Sequence, residues 1–145
     1  MIQVDYLVVA DAAYAADGKH FLHGAGFGII YAGSLPVTHP MLAVAVRLRV
    51  PWLDANTPYD MDLDVVDADE ETLLPQKNSG RLVVGRPPMA TPGEDQFLPL
   101  VFNLAMLEFK KIGVHAVVLR LNGLEAARSR FRLEMLPGAM QSPSG

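Results

Sequence analysis

The 145-residue chain contains no cysteine. This absence excludes disulfide bonds, thiol nucleophiles and thiolate metal sites together, and it leaves the redox compartment open. Charged residues make up only 19% of the chain, and the net charge is −4. Because no excess of lysine and arginine provides an electrostatic footprint for nucleic acid, we expect no nucleic-acid partner.

Long apolar runs are also missing, since none reaches the roughly 20 residues that a membrane-spanning helix needs. The first residues lack a basic start, and Asp5 and Asp11 interrupt what would be the apolar part of a signal peptide. We therefore expect a soluble, cytoplasmic protein without a membrane partner.

What the chain does contain is 50% hydrophobic residues, with eleven prolines and twelve glycines placed mostly in turn clusters. Short apolar segments alternating with such clusters are typical of an all-β sandwich or barrel. We predict one antiparallel β-sandwich domain, Ig-like or C2-like, of seven to nine strands over residues 1–136. Residues 137–145, with small and polar side chains, are predicted to form a flexible C-terminal tail.

The segment from 95 to 109 has two interpretations. Its apolar residues are spaced like one face of a short helix, with Asp95 available as a cap. As a strand, it would have to place Pro99 at a sheet edge or a bulge. A short helix is therefore kept as the rival structure here.

Two strands alternate clearly between apolar and polar side chains. Residues 41–50 place Leu, Val, Val, Leu and Val on one face and alanines and arginines on the other, and the strand after the next loop alternates with aspartates. If these strands pair antiparallel, Arg49 lies opposite Asp60 and Arg47 opposite Asp62. We expect this ladder of opposite charges on an outer sheet face.

The last hairpin contains an Asn-Gly pair at 122–123, which favours a two-residue turn. A plain two-residue turn sets Val117 opposite Arg128. A three-residue loop over 122–124 instead sets Val117 opposite Ser129 and turns the arginines outward. We therefore predict the three-residue loop.

The stretch HGAGFGIIYAG, residues 23–33, suggests a phosphate cradle, a metal site or strand backbone. Its glycines run G-x-G-x-G with no helix or acidic residue following in register, and no GK[ST] is present, so neither nucleotide-binding motif fits. We predict a glycine-bearing strand or bulge with Phe27, Ile29 and Tyr31 packed on one side.

The histidines lack the spacing of a metal site. His20 and His23 are three residues apart, which on a strand means opposite faces, so we expect solvent-facing or edge histidines. His39 is expected in a turn before Pro40, and His115 is expected to face the core. We expect no metal ion and no cofactor.

An acidic run also resembles part of an EF-hand loop, with its positions 1, 3, 5 and 12 taken by Asp60, Asp62, Asp64 and Glu71. The turn glycine required at position 6 is replaced by Val65. A weaker surface calcium site is the alternative, near Asp67, Asp69 and Glu70. We expect a solvated acidic turn instead.

Hydrolase motifs are equally scarce: neither G-x-S-x-G nor H-E-x-x-H occurs. Asp5 and Asp11 are acidic, yet nothing in the sequence pairs them as acid and base. We therefore expect no catalytic residues and no enzyme activity.

Several segments carry a family resemblance: VDYLVVADAA, DGK, LPVTHPMLAVAVRLRVPW, GRPP and GVHAVVLRLNG. This pattern resembles a bacterial family of small β-rich proteins described only as a domain of unknown function, and it extends to about residue 136. The resemblance implies a compact β-rich domain with no assigned activity. It transfers no catalytic residue.

Two loops carry apolar residues that no predicted strand places in the core: VPWLDANTP, with Trp52, and RPPMATPGED, with Arg86 and Met89. Tryptophan and arginine are enriched at interface hot spots, and proline lowers the entropy that a loop loses on docking. The plainer interpretation is that Trp52 caps the core and the prolines only join two strands. We predict that Trp52, Arg86 and Met89 form a binding surface.

From this we expect a non-catalytic protein-interaction or assembly module, whose partner is another protein or a second copy of the chain. The alternatives are a small-ligand or carbohydrate-binding β-sandwich, for which an apolar pocket with convergent polar groups is the signature, and an undetected hydrolase.

Overall fold

The computed structural model describes residues 1–138, and this part of the chain forms ten β-strands and one short 3-10 turn. The strands are β1 (Gln3–Ala10), β2 (Ala12–Ala16), β3 (Lys19–His23), β4 (Ile29–Ala32), β5 (Val37–Val50), β6 (Tyr59–Val66), β7 (Asn78–Leu82), β8 (Gln96–Phe109), β9 (Gly113–Leu121) and β10 (Leu124–Met135). No helix among the described residues has the length and hydropathy to cross a membrane. From residue 139 onward, the predicted tail lies outside the described residues.

Two sheets form the sandwich. The first has the order β1-β5-β8 and the second has the order β4-β10-β9-β6-β7. Neighbouring strands pair antiparallel except β4 and β10, which are parallel. The inner faces share one core, whose fully buried side chains include Leu42, Val44, Val46, Leu48, Leu63, Val65, Phe109, Val117, Leu119 and Leu133. The predicted all-β, antiparallel sandwich is confirmed.

The β2–β3 hairpin forms a separate small sheet and contacts the outer side of the first sheet through β5 and β8. Ala43 and Ala45, which point away from the core, are consequently 0% exposed. His20 on β3 links the hairpin to the first sheet through two hydrogen bonds. Its Nε2–H donates to the Leu100 carbonyl at 2.9 Å, and the Tyr6 hydroxyl donates to its Nδ1 at 2.6 Å. The outer face of β5 is therefore only partly open to water.

The rival helix between 95 and 109 is wrong, because these residues form β8. This strand pairs with β5 along its length, from Gln96 opposite Val50 to Phe109 opposite Val37. Within the first sheet β8 has no second neighbour, so it is an edge strand. An edge tolerates the missing N–H of Pro99, and the helical spacing of apolar residues is overridden by strand pairing.

The predicted charge ladder between β5 and β6 is also wrong, because the two strands belong to different sheets. Arg47 forms its ion pair with Asp5 on β1. Asp62 and Asp64 bind Arg120 on β9, at 2.9 and 3.4 Å. The loop after β5 carries the chain across the sandwich, so consecutive strands do not become neighbours.

The last hairpin has the predicted register but not the predicted loop. Its turn is the two-residue Asn122-Gly123 pair, with φ of 52° and 78°. The extra residue forms a bulge between Glu125 and Ala127, after which Val117 lies opposite Ser129. Asn-Gly suits the two-residue turn, and the bulge restores the alternation that keeps the arginines outside.

The glycine-rich stretch is a strand only from Ile29 onward. Ile29 and Tyr31 are 39% and 52% exposed, whereas Phe27 and Ile30 pack against the core. The prediction that Phe27, Ile29 and Tyr31 pack on one side is therefore wrong. Positive φ at two glycines before β4 breaks the strand alternation that the prediction assumed.

Candidate functional site

Trp52 and Arg86, two of the three predicted binding residues, are in contact. Trp52 lies in the 3-10 turn Trp52–Asp54, directly after β5, and Pro51 begins this turn with φ −59°. The Arg86 guanidinium lies 3.9 Å from the centre of the Trp52 ring, and its Nη2 donates to the Trp52 carbonyl at 2.6 Å. This stacking and hydrogen bond fix both side chains in one arrangement.

Met89, the third predicted residue, stands apart from this pair on the same loop as Arg86. It lies in a turn closed by the Ala90 N–H, which donates to the Pro87 carbonyl at 2.9 Å. Met89 is 93% exposed, and Leu53, beside Trp52, is 87% exposed. Leu53, next to Trp52 in the sequence, and Met89, three residues after Arg86, thus place two large apolar side chains almost fully in solvent.

The turn that carries Trp52 is anchored to the domain through Asp54. The Met1 ammonium lies 2.5 Å from one carboxylate oxygen of Asp54, and the Tyr59 hydroxyl donates to the other at 2.8 Å. The Ile2 N–H in turn donates to the Tyr59 hydroxyl at 3.2 Å. The ammonium hydrogen bond first, and then that of Tyr59, hold the pKa of Asp54 below its usual range.

A second arginine is stacked on an aromatic ring on the outer face of the first sheet. The Arg47 guanidinium lies 3.9 Å from the centre of the Phe97 ring, and Phe97 is 48% exposed. Arg49, on the same face of β5, lies 3.7 Å from Asp95 just before β8. The sequence did not identify Phe97 as the stacking partner of Arg47, because residues 95–109 were also compatible with a helix. The contact could be predicted only if β8 was known to pair with β5.

The histidines do not converge. His20 is held in the hairpin contact, His23 is exposed at the end of β3, and His39 lies within β5 instead of the predicted turn. His115 is buried in β9, as predicted. Over residues 1–138, no group of three or more His, Cys, Asp or Glu side chains is arranged to hold a metal ion.

The acidic turn after β6 is neutralised by nearby cations. Lys111 lies 3.4 Å from Asp67 and 3.0 Å from Asp69. Arg128 donates to both carboxylate oxygens of Glu70, at 2.8 and 3.0 Å. The hydrogen bond from Arg128 is the main reason that the pKa of Glu70 is lowered. The segment of the supposed EF-hand is strand β6 followed by this turn.

Among the solved structures, the chain is similar to Pseudomonas fluorescens alkylpurine DNA glycosylase AlkC bound to DNA containing an abasic site analog. The identity is 14%, the TM-score is 0.43, and the match covers 92% of this chain and 30% of that chain. The chain thus spans under a third of that protein's length. A likeness this weak carries no argument about function. No curated protein matches the chain.

That solved structure is of a DNA-bound protein, and our expectation, which excluded a nucleic-acid partner on net charge, is withdrawn. Net charge averages over the whole surface and does not describe a local site. The correction removes an exclusion and assigns no ligand.

A family model described as Family of unknown function (DUF6941) matches residues 5–134. The match begins within β1 and ends within β10, and it includes Trp52, Arg86 and Met89. The resemblance seen in the sequence to an uncharacterised family of small domains is confirmed. The chain belongs to the Family of unknown function (DUF6941).

Proposed function

We propose that this chain is a non-catalytic protein-interaction module, and that its contact surface is the end of the sandwich that carries Trp52, Leu53, Arg86 and Met89. The observation that carries the proposal is the stacked Trp52–Arg86 pair, together with Leu53 and Met89, which are about nine-tenths exposed on the two loops that carry this pair. Exposed apolar side chains grouped near a tryptophan and an arginine have the composition of interface hot spots.

The surface is also prearranged for binding. The Trp52 and Arg86 side chains already hold each other, and prolines at 51, 87 and 88 restrict both loops. Ordering side chains and loops is a major cost of association, so a fixed surface loses less on binding than a mobile one.

The charge of the surface indicates what the partner presents. Arg86 forms no ion pair within residues 1–138, whereas Arg47 and Arg49 are each paired with an aspartate. A partner segment that places a carboxylate on Arg86 and an apolar side chain against Leu53 and Met89 satisfies both features.

The test is a two-step binding measurement. Proteins retained by the immobilised chain from its host lysate are identified, expressed and titrated calorimetrically against purified wild type, Trp52→Ala, Arg86→Ala and Met89→Ala. We expect Trp52→Ala and Arg86→Ala each to raise the dissociation constant by about tenfold or more, which is the effect of truncating a hot-spot residue.

The matched control is Tyr14→Ala, which removes another aromatic residue, 54% exposed, on the β2–β3 hairpin. This variant is expected to bind like wild type. Light scattering of the same proteins tests whether the partner is a second copy. The proposal fails if the three surface variants, shown to be folded by circular dichroism, bind the partner as tightly as wild type does. It also fails if the purified chain binds DNA and no protein.

A further inference from the structure

A cleft of about 410 Å³ lies between the acidic segment after β6, the end of β8 and the turn that leads into β9. Its volume is within the range of about 300–1,000 Å³ usual for small-molecule sites. Apolar wall residues are Leu73, Leu74, Pro75 and Met106, and charged groups at its rim include Asp67, Glu71, Glu108 and Lys111. This cleft is separate from the Trp52–Arg86 surface, and no residue is shared between them.

His115 of β9 lines this cleft and is 2% exposed, the one buried polar or charged residue in the described part of the chain. Its ring is stacked on Phe131, with centroids 5.7 Å apart, and meets the edge of Phe109 at 5.1 Å. These two contacts hold the imidazole in a single orientation.

The hydrogen bonding of His115 leaves one nitrogen available. Nδ1 lies 3.0 Å from the Gly113 carbonyl oxygen. A carbonyl oxygen only accepts, so Nδ1 carries the proton, and in the neutral ring Nε2 holds a free lone pair. Nε2 makes no hydrogen bond with residues 1–138.

Nε2 is also not sealed from solvent. Among the described residues, Nε2 of Gln96 is the side-chain polar atom that is both sealed from solvent and without a hydrogen-bond partner. Nε2 of His115 also lacks a partner but is not in this group, so it keeps some contact with solvent. The small accessible part of the His115 ring therefore includes Nε2. Because His115 lines the cleft, this acceptor, which no residue of the described chain binds, is available to a ligand in a space with apolar walls and a charged rim.

We propose that the cleft binds a small, mainly apolar ring compound that carries a hydroxyl group, of the phenol class. Its O–H donates to Nε2 of His115, and its ring packs against Leu73, Leu74 and Met106. A free lone pair selects a ligand that donates a hydrogen bond. Without three grouped metal-binding side chains among the described residues, a cation is not the occupant that the geometry favours.

The experiment is an NMR titration of the labelled full chain with phenol and, separately, with benzene. Long-range proton–nitrogen spectra follow Nε2 of His115, and methyl spectra follow Met106. With phenol, we expect both signals to shift along one saturating curve. Benzene fills the same space without a donor, so we expect it to bind about fivefold more weakly or worse, the effect of one lost hydrogen bond.

The variant His115→Phe keeps the stacking with Phe109 and Phe131 and removes the acceptor, so phenol and benzene should bind it equally. The matched control is His39→Phe, since His39 meets the same Phe109 ring, at 6.3 Å, and does not line the cleft. This control should retain the preference for phenol. If His115→Phe does not fold, the shift of the Nε2 signal of His115 in the wild-type chain on addition of phenol tests the proposal by itself. An unchanged Nε2 signal at saturating phenol, or no saturable binding, overturns the proposal.

Discussion

Gly24 occupies a backbone position that a side chain would strain. Its φ is +63°, and a Cβ built there would lie 2.2 Å from Oδ2 of Asp11. Asp11 can swing away, but the backbone conformation remains unfavourable for any L-residue. We therefore expect Gly24→Ala to lower the free energy of unfolding by about 1 kcal/mol in urea titrations.

Gly28 is the control for this substitution, because its φ is not positive and a methyl group added there would have no other atom within 4 Å. Gly28→Ala is expected to leave the free energy of unfolding unchanged or to raise it slightly. Equal losses in the two variants would contradict the strain assigned to Gly24.

Asp54 gives a pH-dependent prediction. Its pKa is lowered in the folded state from a reference of 3.8 by the Met1 ammonium and the Tyr59 hydroxyl. A lowered carboxyl pKa contributes stability that is present above the unfolded pKa and is lost as the pH falls through the folded value. We expect Asp54→Asn to cost about 1 kcal/mol of unfolding free energy near pH 7.

The difference between wild type and Asp54→Asn should shrink as the pH falls through the lowered pKa of Asp54 in the folded state, and it should vanish once that carboxyl is fully protonated. Urea titrations at several pH values measure it. A difference that stays constant from neutral to acid pH would show that packing of Tyr59, and not the charge on Asp54, holds the turn.

At the scale of elements, the β2–β3 hairpin limits what β5 can carry on its outer face. Ala45 is 0% exposed there, under the hairpin. We expect Ala45→Leu to lower the free energy of unfolding by about 1–3 kcal/mol through overpacking. Hydrogen exchange should show faster exchange of the amides in β2 and β3.

The control is Ala105→Leu, the same change on the same sheet face, at an exposed position of β8 opposite Met41. It should change the free energy of unfolding by no more than about 0.5 kcal/mol, as surface substitutions usually do. A similar loss in both variants would mean that the hairpin does not cover Ala45.

Elements also show the limits of pattern reading. The alternation in residues 41–50 correctly predicted a strand and its core face, yet Ala43 and Ala45, on the opposite face of that strand, are buried as well. In β8, apolar spacing was compatible with a helix. The periodicity of apolar residues along a strand indicates which of its faces is apolar. It does not indicate which other element covers the opposite face.

For the whole molecule, we predict one cooperative unfolding unit. The two sheets share a single core, and the one tryptophan of the chain, Trp52, lies in the loop that connects them. Trp52 fluorescence and far-ultraviolet circular dichroism should therefore follow the same guanidinium midpoint. Two separated transitions would contradict the single-domain prediction.

The sequence by itself determined the β class, the faces of β5, β6 and β9, the burial of His115 and the register of the last hairpin. These follow from local alternation and turn chemistry, which act over a few residues. The candidate surface could be predicted only in part. The loops of Trp52 and Arg86 could be identified as apolar segments outside the predicted strands, but the contact between the two side chains could not be predicted.

Only the tertiary structure decided which strands are neighbours. Arg47 and Asp62 carry complementary charges on consecutive strands, yet the chain crosses between sheets after β5, so Arg47 meets Asp5 and Asp62 meets Arg120. The tertiary structure also brings Arg86 onto Trp52 and forms the cleft at His115 from segments that are distant in the sequence. Packing two sheets over one core fixes such contacts between distant residues, and exposed charge pairs contribute too little free energy to select the topology themselves.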